Sequence, residues 1–458
     1  MGGLNTSLLI GVQALDANQG ALDATSNNIA NVNTPGYTRE VAQFGENGET
    51  QSGDEVAGGG VTLEGLQSVR DELLNIQIQQ QTSQQSSADA QSTSLQQVQT
   101  YFTTNGDDIA SELTALSSSL AQLSASPSSA SAQLGVLSAG RNLADAFNTT
   151  AQGLTTAQSD ADQQVTQTVS QINSLTQQIA QLNGQLSQVP AEENGGTTQD
   201  QLDQLVQQLS GLTNVSITQT SDGETITTGN GTPLVMGNQS FTLQTTTGSD
   251  GFQQVLDSNG NNITTSISGG TLGGAIEVRD QTIPGFLSQL NTLASQFGTA
   301  FNNAQAHGFD SNGNAGANFF TIPTNPNDAA AGISVALTNP TQVAISSDGS
   351  AGSNGNIANL SAALTNALPS GESAANAYAS LVFSVGNAAS NASTQSTAIG
   401  QNLTQLTTQQ GAVSAVDINE ETTNLMRFQA AYEAASRIVS TVQVLDNAAL
   451  NMGSSTSF

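Results

Sequence analysis

Over the first forty residues the apolar positions fall in one row. Leu8, Leu15, Leu22 and Ile29 each lie seven residues after the last, with Ala14 and Ala21 beside them. The remaining positions are Asn, Gln, Ser and Thr with Asp16 and Asp23, so the spacing predicts a helix with one narrow apolar stripe. The stripe stops at Asn31-Val32-Asn33-Thr34-Pro35-Gly36-Tyr37. Proline disfavours helix at Thr34, and Gly36 can supply the positive φ of a type II turn. The last forty residues repeat the design. Leu425, Phe428, Tyr432, Ala435, Val439 and Val442 advance in steps of three and four, and Ile438 and Leu445 widen the row. Asp417 followed by Glu420 marks a helix start, a capping side chain with an acid behind it. A lone helix with so thin a seam is marginal in water. The two ends therefore need a partner, either each other or the same ends of neighbouring copies, in coiled-coil packing.

Between the ends the period changes several times. Tyr37 to Phe44 can run extended, Gly45 to Gly60 is a loop rich in glycine and acid, and Val61, Leu63 and Gly65 alternate as a short strand does. From about Arg70 to Leu212 the pattern is helix after helix, with breaks at Asn105-Gly106-Asp107, near Pro127 and from Pro190 to Gly196. Val165, Ile172, Leu175, Ile179, Leu182, Leu186 and Val189 form its clearest seam. Its glutamine-rich stretch between Gln79 and Thr100 is equally compatible with disorder by composition. At Asn214 the period becomes two: Val215 to Thr218 and Phe241 to Gln244 alternate, with turns at Ser221-Asp222-Gly223 and Gly229-Asn230-Gly231. Helix resumes at Thr271 to Asp280, is interrupted near Pro284, and continues through Leu287, Leu290, Leu293, Phe297 and Phe301. A loop with short extended pieces follows from Gly308 to Asp348, then helix from Tyr378 to Leu406.

The expected fold class is thus mainly α, with terminal coiled-coil helices, an elongated helical bundle and a small β-rich insertion. The corresponding division is 1–69 with 407–458 as a terminal assembly region, 70–213 with 271–406 as the bundle, and 214–270 as the insertion. A length of 458 residues accommodates about three domains of roughly 150 residues. Aromatic residues make up only 4%, which suits long thin helices better than one thick core.

Composition sharpens the picture by exclusion. The formal net charge is −30, and all six basic residues are arginines: Arg39, Arg70, Arg141, Arg279, Arg427 and Arg437. Such a surface repels phosphate backbones and anionic lipid, so neither nucleic acid nor membrane is an expected partner. Copies of the chain also repel one another, which leaves apolar seams and amide hydrogen bonds to drive self-association. The chain contains no cysteine, which excludes disulfides and thiolate metal sites. The N-terminus has no basic region before Leu8-Leu9-Ile10, and that run is too short for the core of a signal peptide.

Candidate chemistry is sparse. His307 is the one histidine, and nothing marks an oriented Ser-His-Asp trio around it. Asp310-Ser311-Asn312-Gly313-Asn314 and Asp257-Ser258-Asn259-Gly260-Asn261 are near copies. They lack the sixth-position glycine and twelfth-position glutamate of a calcium loop, and Asn-Gly favours a tight turn. The acid pairs Glu192-Glu193 and Glu420-Glu421 belong at helix ends, and Glu433 with Arg437 has the spacing of a helix-surface ion pair. No catalytic residue, cofactor or metal is expected.

The run from Ser26 through Asn31, Asn33, Pro35, Gly36 and Tyr37 to Arg39 closely resembles the N-terminal signature of the bacterial flagellar axial proteins, those of rod, hook and hook-associated type. Val416 to Tyr432 is similar to their C-terminal signature. The stretches Thr271 to Asp280 and Ala304 to Phe320, with the long helical run before them, resemble the hook-associated protein 1 branch, the first hook–filament junction proteins. The middle is short, so a further outer domain of longer relatives is expected to be absent. The resemblance implies an extracellular structural protein exported by the flagellar type III system without a cleaved signal peptide. It further implies self-association into an adaptor ring, with hook protein, a second junction protein and an export chaperone as partners. Its seam would be Leu8, Leu15, Leu22, Ile29, Leu425, Phe428, Tyr432, Ile438, Val439, Val442 and Leu445. Arg39, Arg279 and Arg427 lie inside the resembling motifs, where a cation among acids can fix a contact between helices. The alternatives are a hook or distal rod protein, which passes sooner into β structure, and a secreted adhesin or hydrolase with helical stalks.

Overall fold

The computed structural model describes the chain except residues 1, 49, 53–54, 103–105, 189–195, 221–222 and 455–458. Asn105, Val189, most of the break after Pro190, the pair Glu192-Glu193 and the turn residues Ser221 and Asp222 lie outside the described residues. The architecture is mainly α, as the periodicity predicts. Helix α1 (Gly2–Asn31) is followed by strands β1 (Glu40–Glu46), β2 (Thr50–Ser52), β3 (Glu55–Ala57) and β4 (Val61–Ser68). Then come α2 (Glu72–Thr100), α3 (Ile109–Ala125), α4 (Ala130–Leu186) and α5 (Gly196–Leu212). The glutamine-rich stretch lies within α2 and is helical. Strand β1 pairs antiparallel with β4, with an irregularity between Gln43 and Phe44. The expected loop carries a small ladder, β2 against β3.

Strands β5 (Val215–Thr220), β6 (Gly223–Thr228), β7 (Pro233–Met236) and β8 (Gln239–Ser240) form an antiparallel meander. Strands β9 (Gln244–Thr247) and β10 (Gln253–Leu256) pair separately. The alternation of Phe241 to Gln244 predicts one strand, yet it is broken at Leu243. The Asn173 side chain accepts from the Leu243 N–H and donates to its carbonyl, both at 2.8 Å. Helix α4 thus takes the hydrogen bonds a neighbouring strand would have used. Next come α6 (Gly270–Glu277), a π-helical turn at Val278–Thr282, and α7 (Ile283–Ala306). The break expected near Pro284 is that wider turn, and the proline sits harmlessly in the first turn of α7. The order closes with β11 (Phe320–Thr321), α8 (Ala329–Gly332), β12 (Ser334–Val335), α9 (Ile357–Thr365), α10 (Ala374–Ser414) and α11 (Ile418–Ser454).

The chain divides into two compact units. The first comprises 1–83, 171–243 and 400–458; the second comprises 84–170 and 244–399. Helices α2, α4 and α10 contribute to both. The second unit holds a contiguous core, thicker than the low aromatic content suggests. Phe147, Phe297, Phe301, Phe319 and Phe320 are fully buried there, with ring centroids as close as 4.8 Å. The scarce aromatics are concentrated in that unit rather than spread along the helices. Asn302 docks β11 on α7: its amide accepts from the Phe320 N–H and donates to the Phe320 carbonyl, each at 2.8 Å. Arg279, in the π turn, is only 2% exposed. It donates to Asp162 and to the Gln253 carbonyl at 2.7 Å and grips Asp280 with two further N–H groups. The widened turn lets this guanidinium point inward, where the four hydrogen bonds hold it.

Candidate functional site: the terminal helix pair and its turn

All of this site lies in the first unit. Helix α1 packs along α11 of the same chain, which resolves one of the two packings open to them. The face of α1 that becomes fully buried is made of small residues: Gly11, Ala17, Ala21, Ala24, Thr25 and Asn28. Small side chains let the backbones approach closely; a Cβ on Gly11 would stand 2.8 Å from Val439 Cγ2. On α11 the buried positions are Glu421, Ala435 and Val442, with half-buried Phe428 completing a seven-residue row. Leu425, Tyr432 and Val439 are half-buried in the adjacent row.

Leu8, Leu15, Leu22 and Ile29 are also half-buried, one position round α1 from the small-residue face. Ile438 and Leu445 are 52% and 51% exposed, although Ile438 Cγ2 would still lie 3.7 Å from a Cβ on Gly11 of α1. They have company: Leu9, Val12, Met426, Val444 and Leu450 are exposed too. The pair of helices therefore uses its small residues internally and keeps large apolar side chains at its surface. Water does not favour so many exposed apolar side chains on an isolated molecule.

The turn after α1 is locked by polar contacts. The Thr34 N–H donates to the Asn31 carbonyl at 2.8 Å and the Tyr37 N–H to the Thr34 carbonyl at 3.2 Å. Gly36 has φ +78, as the sequence requires. Asn33 and Pro35 are exposed, and the Pro35 carbonyl accepts from Gln204 on α5. The centre of the lock is Asn28, 1% exposed. Its Oδ1 accepts from the Glu40 N–H and the Tyr37 hydroxyl, both at 2.9 Å. Its Nδ2 donates to the Glu40 carbonyl at 2.8 Å and to Glu421 Oε2 at 3.2 Å. Burial, and then the carboxylates of Glu40, Asp200 and Glu421, push the Tyr37 phenol up to about 12. It therefore stays a hydroxyl that can donate to Asn28.

Arg39 joins the turn to both long C-terminal helices. Its N–H donates to the Ser414 carbonyl at 2.9 Å, at the end of α10. Its guanidinium pairs with Glu420 at 2.6 Å, in the first turn of α11. Glu420 is thus drawn to Arg39 rather than back to the cap, while Asp417 caps the Asn419 N–H at 2.8 Å. Arg427 lies over the ring of Phe428 at 4.8 Å, and Phe428 in turn meets Phe44 of β1. The expected Glu433–Arg437 ion pair is not formed: the two side chains stay apart on the exposed face of α11.

Asn28 was not singled out by the spacing, since an asparagine in a polar run carries no hydrophobic signal. A clue did exist: it continues the small-residue row Ala17, Ala21, Ala24, which marks a closely packed face. The other candidate groups fall outside this site. His307 ends α7 with its Nδ1 2.6 Å from the Asn303 carbonyl. Asp257 and Asp310 each fold their carboxylate onto N–H groups of their own turn, at 2.8–2.9 Å. Among the described residues no group of histidine and acidic side chains is placed to hold a metal ion. Nor is any described helix long and apolar enough to cross a membrane.

Comparisons with known proteins coincide with these elements. A family model described as "Flagellar hook-associated protein FlgK helical domain" matches residues 95–320. Models described as "Flagella basal body rod protein" and "Flagellar basal body rod FlgEFG protein C-terminal" match residues 8–38 and 409–452, the two helices of the site. The chain is 26% identical to flagellar hook-associated protein 1 of Escherichia coli (strain K12), over 96% of this chain and 98% of that one. It is 28% identical to flagellar hook-associated protein 1 of Bacillus subtilis (strain 168), over 98% and 99%. Its fold is similar to the flagellar hook junction protein FlgK of Burkholderia pseudomallei, with a TM-score of 0.67 and 18% identity, over 74% of this chain and all of the other. The chain belongs to the flagellar hook-associated protein 1 family, structural components of the hook–filament junction of the bacterial flagellum.

Proposed function

We propose that the paired terminal helices are the element by which copies of this chain assemble side by side into an adaptor ring between hook and filament. The observation that carries this reading is the number of large apolar side chains that stay exposed after α1 and α11 have paired, above all Ile438, Val444, Leu445 and Leu450. Charge cannot supply the attraction, because every copy carries −30. Burial can: each leucine or isoleucine covered in a neighbour's seam contributes about 1.5–3 kcal/mol, and the gain recurs at every interface of a ring.

In this reading Leu8, Leu15, Leu22, Ile29, Leu425, Phe428, Tyr432, Val439 and Val442 shape the pair and its flanks, while Ile438 and Leu445 face the next copy. Asn31, Asn33, Pro35, Gly36 and Tyr37 fix where the chain leaves α1. Residues 1–69 and 407–458 act as the assembly region, 70–213 and 271–406 as the supporting bundle, and 214–270 as the part turned from the neighbours. The partners are hook protein, a second junction protein and, before export through the flagellar type III channel, a chaperone. The chain works as a structural piece outside the cell and not as a catalyst. Leu445→Asp tests this. The exposed site leaves the monomer's melting unchanged, but a carboxylate in the seam blocks assembly. Cells carrying it are expected to make hooks without filaments, whereas exposed Asn447→Asp swims normally. Normal swimming with Leu445→Asp would overturn the assignment of the seam.

A further inference from the structure

A second polar cluster in the first unit has no part in the helix pairing. Glu224, on β6, is 5% exposed. Its Oε1 accepts from Gln219 at 2.8 Å and from Gln199 at 3.1 Å. Its Oε2 meets no donor among the described residues. Gln199 also donates to Asp203 at 3.0 Å, so one amide serves two carboxylates. Arg70, the guanidinium of the cluster, is already committed. It pairs with Asp203, with Asp200 at 2.6 Å, and with the Gly196 carbonyl at 3.2 Å. Asp200, 5% exposed, accepts from the Thr38 N–H at 2.9 Å, which ties the turn after α1 to α5. Glu40 of β1 stands beside Asp200 and the Gly196 N–H, and Glu64 of β4 lines the cavity on which Glu224 opens. Glu224 is thus a dehydrated carboxyl beside Asp203, in a cluster that also holds Asp200, Glu40 and Glu64 and whose one guanidinium pairs with Asp203 and Asp200.

We propose that Glu224 is a proton-operated latch. Neutral, it holds β6 to α5 through Gln199, and the chain Asp203–Arg70–Asp200 carries the connection to the turn after α1. Charged, it repels Asp203 across the shared amide and loosens the join. Burial, and then the charge of Asp203, raise the Glu224 carboxyl above its ordinary range; burial acts likewise on Asp203 and Glu40. The sign follows from proton counting. A raised folded-state value means the native form binds more protons than the unfolded one. The stabilisation is complete below the ordinary glutamate value of about 4.3 and is lost as pH rises through the raised one. This inference does not rest on the assembly reading, and its test uses the full-length monomer.

Hydrogen exchange of the β6 and α5 amides, corrected for intrinsic rates, reads the join directly from about pH 5 to about pH 8. Protection is expected to fall with rising pH, by up to about tenfold for each unit by which the carboxyl is raised. Glu224→Gln, which keeps the shape and removes the charge, is expected to lose the part of that fall that Glu224 causes and to stay better protected than the unaltered chain at high pH. A flat profile in the unaltered chain, or a Glu224→Gln profile that follows it, would overturn the latch. A carbon-13 titration of the unaltered chain covers the case in which the variant folds poorly. Glu224 is expected to titrate above the ordinary glutamate value of about 4.3, and a midpoint at or below that value also rejects the proposal.

Discussion

At the scale of single residues, the recurring device is an amide that docks on both polar groups of another backbone. Asn28 does this to Glu40, Asn173 to Leu243, Asn183 to Glu224 and Asn302 to Phe320. Asn291 and Gln305 each hold a pair of loop groups in the same way. Asparagine suits the task because it is both donor and acceptor at fixed separation. Aspartate has the same shape but cannot donate when ionised. Asn302→Asp leaves the Phe320 carbonyl unpaired and buries a charge, so we expect a loss of about 2–3 kcal/mol or more. Exposed Asn303→Asp next to it is expected to cost less than about 0.5 kcal/mol. Denaturant unfolding followed through the core of the second unit measures both, and equal effects would show that the dock carries no stability.

At the scale of elements, the helices and the period changes were legible because burial leaves a rhythm. The seams of α1, α4 and α11, the turn at Gly36 and the shift to strands at Val215 all follow from it. What the rhythm could not show is which of two neighbouring rows is buried. Leucine catches the eye, yet Ala17, Ala21 and Ala24 are fully buried while Leu15 and Leu22 are half-covered. Small residues give little hydrophobic signal and permit the closest approach. The amide docks were hidden for a related reason: their partners are backbone groups far along the chain, which no local pattern records. The strand expected through Leu243 failed on one such dock. The packing of α1 can be tested by overfilling it. Ala21 is 0% exposed, so Ala21→Leu should push α1 off the surface that covers it, at a cost of about 1–3 kcal/mol. Exchange should rise along α1 and α11 and stay unchanged in the second unit. An α1 as protected as before would place the contact elsewhere.

At the scale of the whole molecule, charge sets the terms. Thirty net negative charges on 458 residues oppose association, and dissolved salt shortens the reach of that opposition to about 10 Å at 0.1 M. We expect light scattering to show stronger self-association of the purified chain as salt is raised from about 0.05 M to about 0.5 M. Weaker association would instead point to ion pairs between copies. The amide docks give this expectation its other half. A joint made of neutral groups has no ionic atmosphere to lose or gain, so the medium that governs how copies meet leaves the joints inside each copy as they were. Seawater and fresh water would find the same amide docks in every copy and differ in how readily the copies stack.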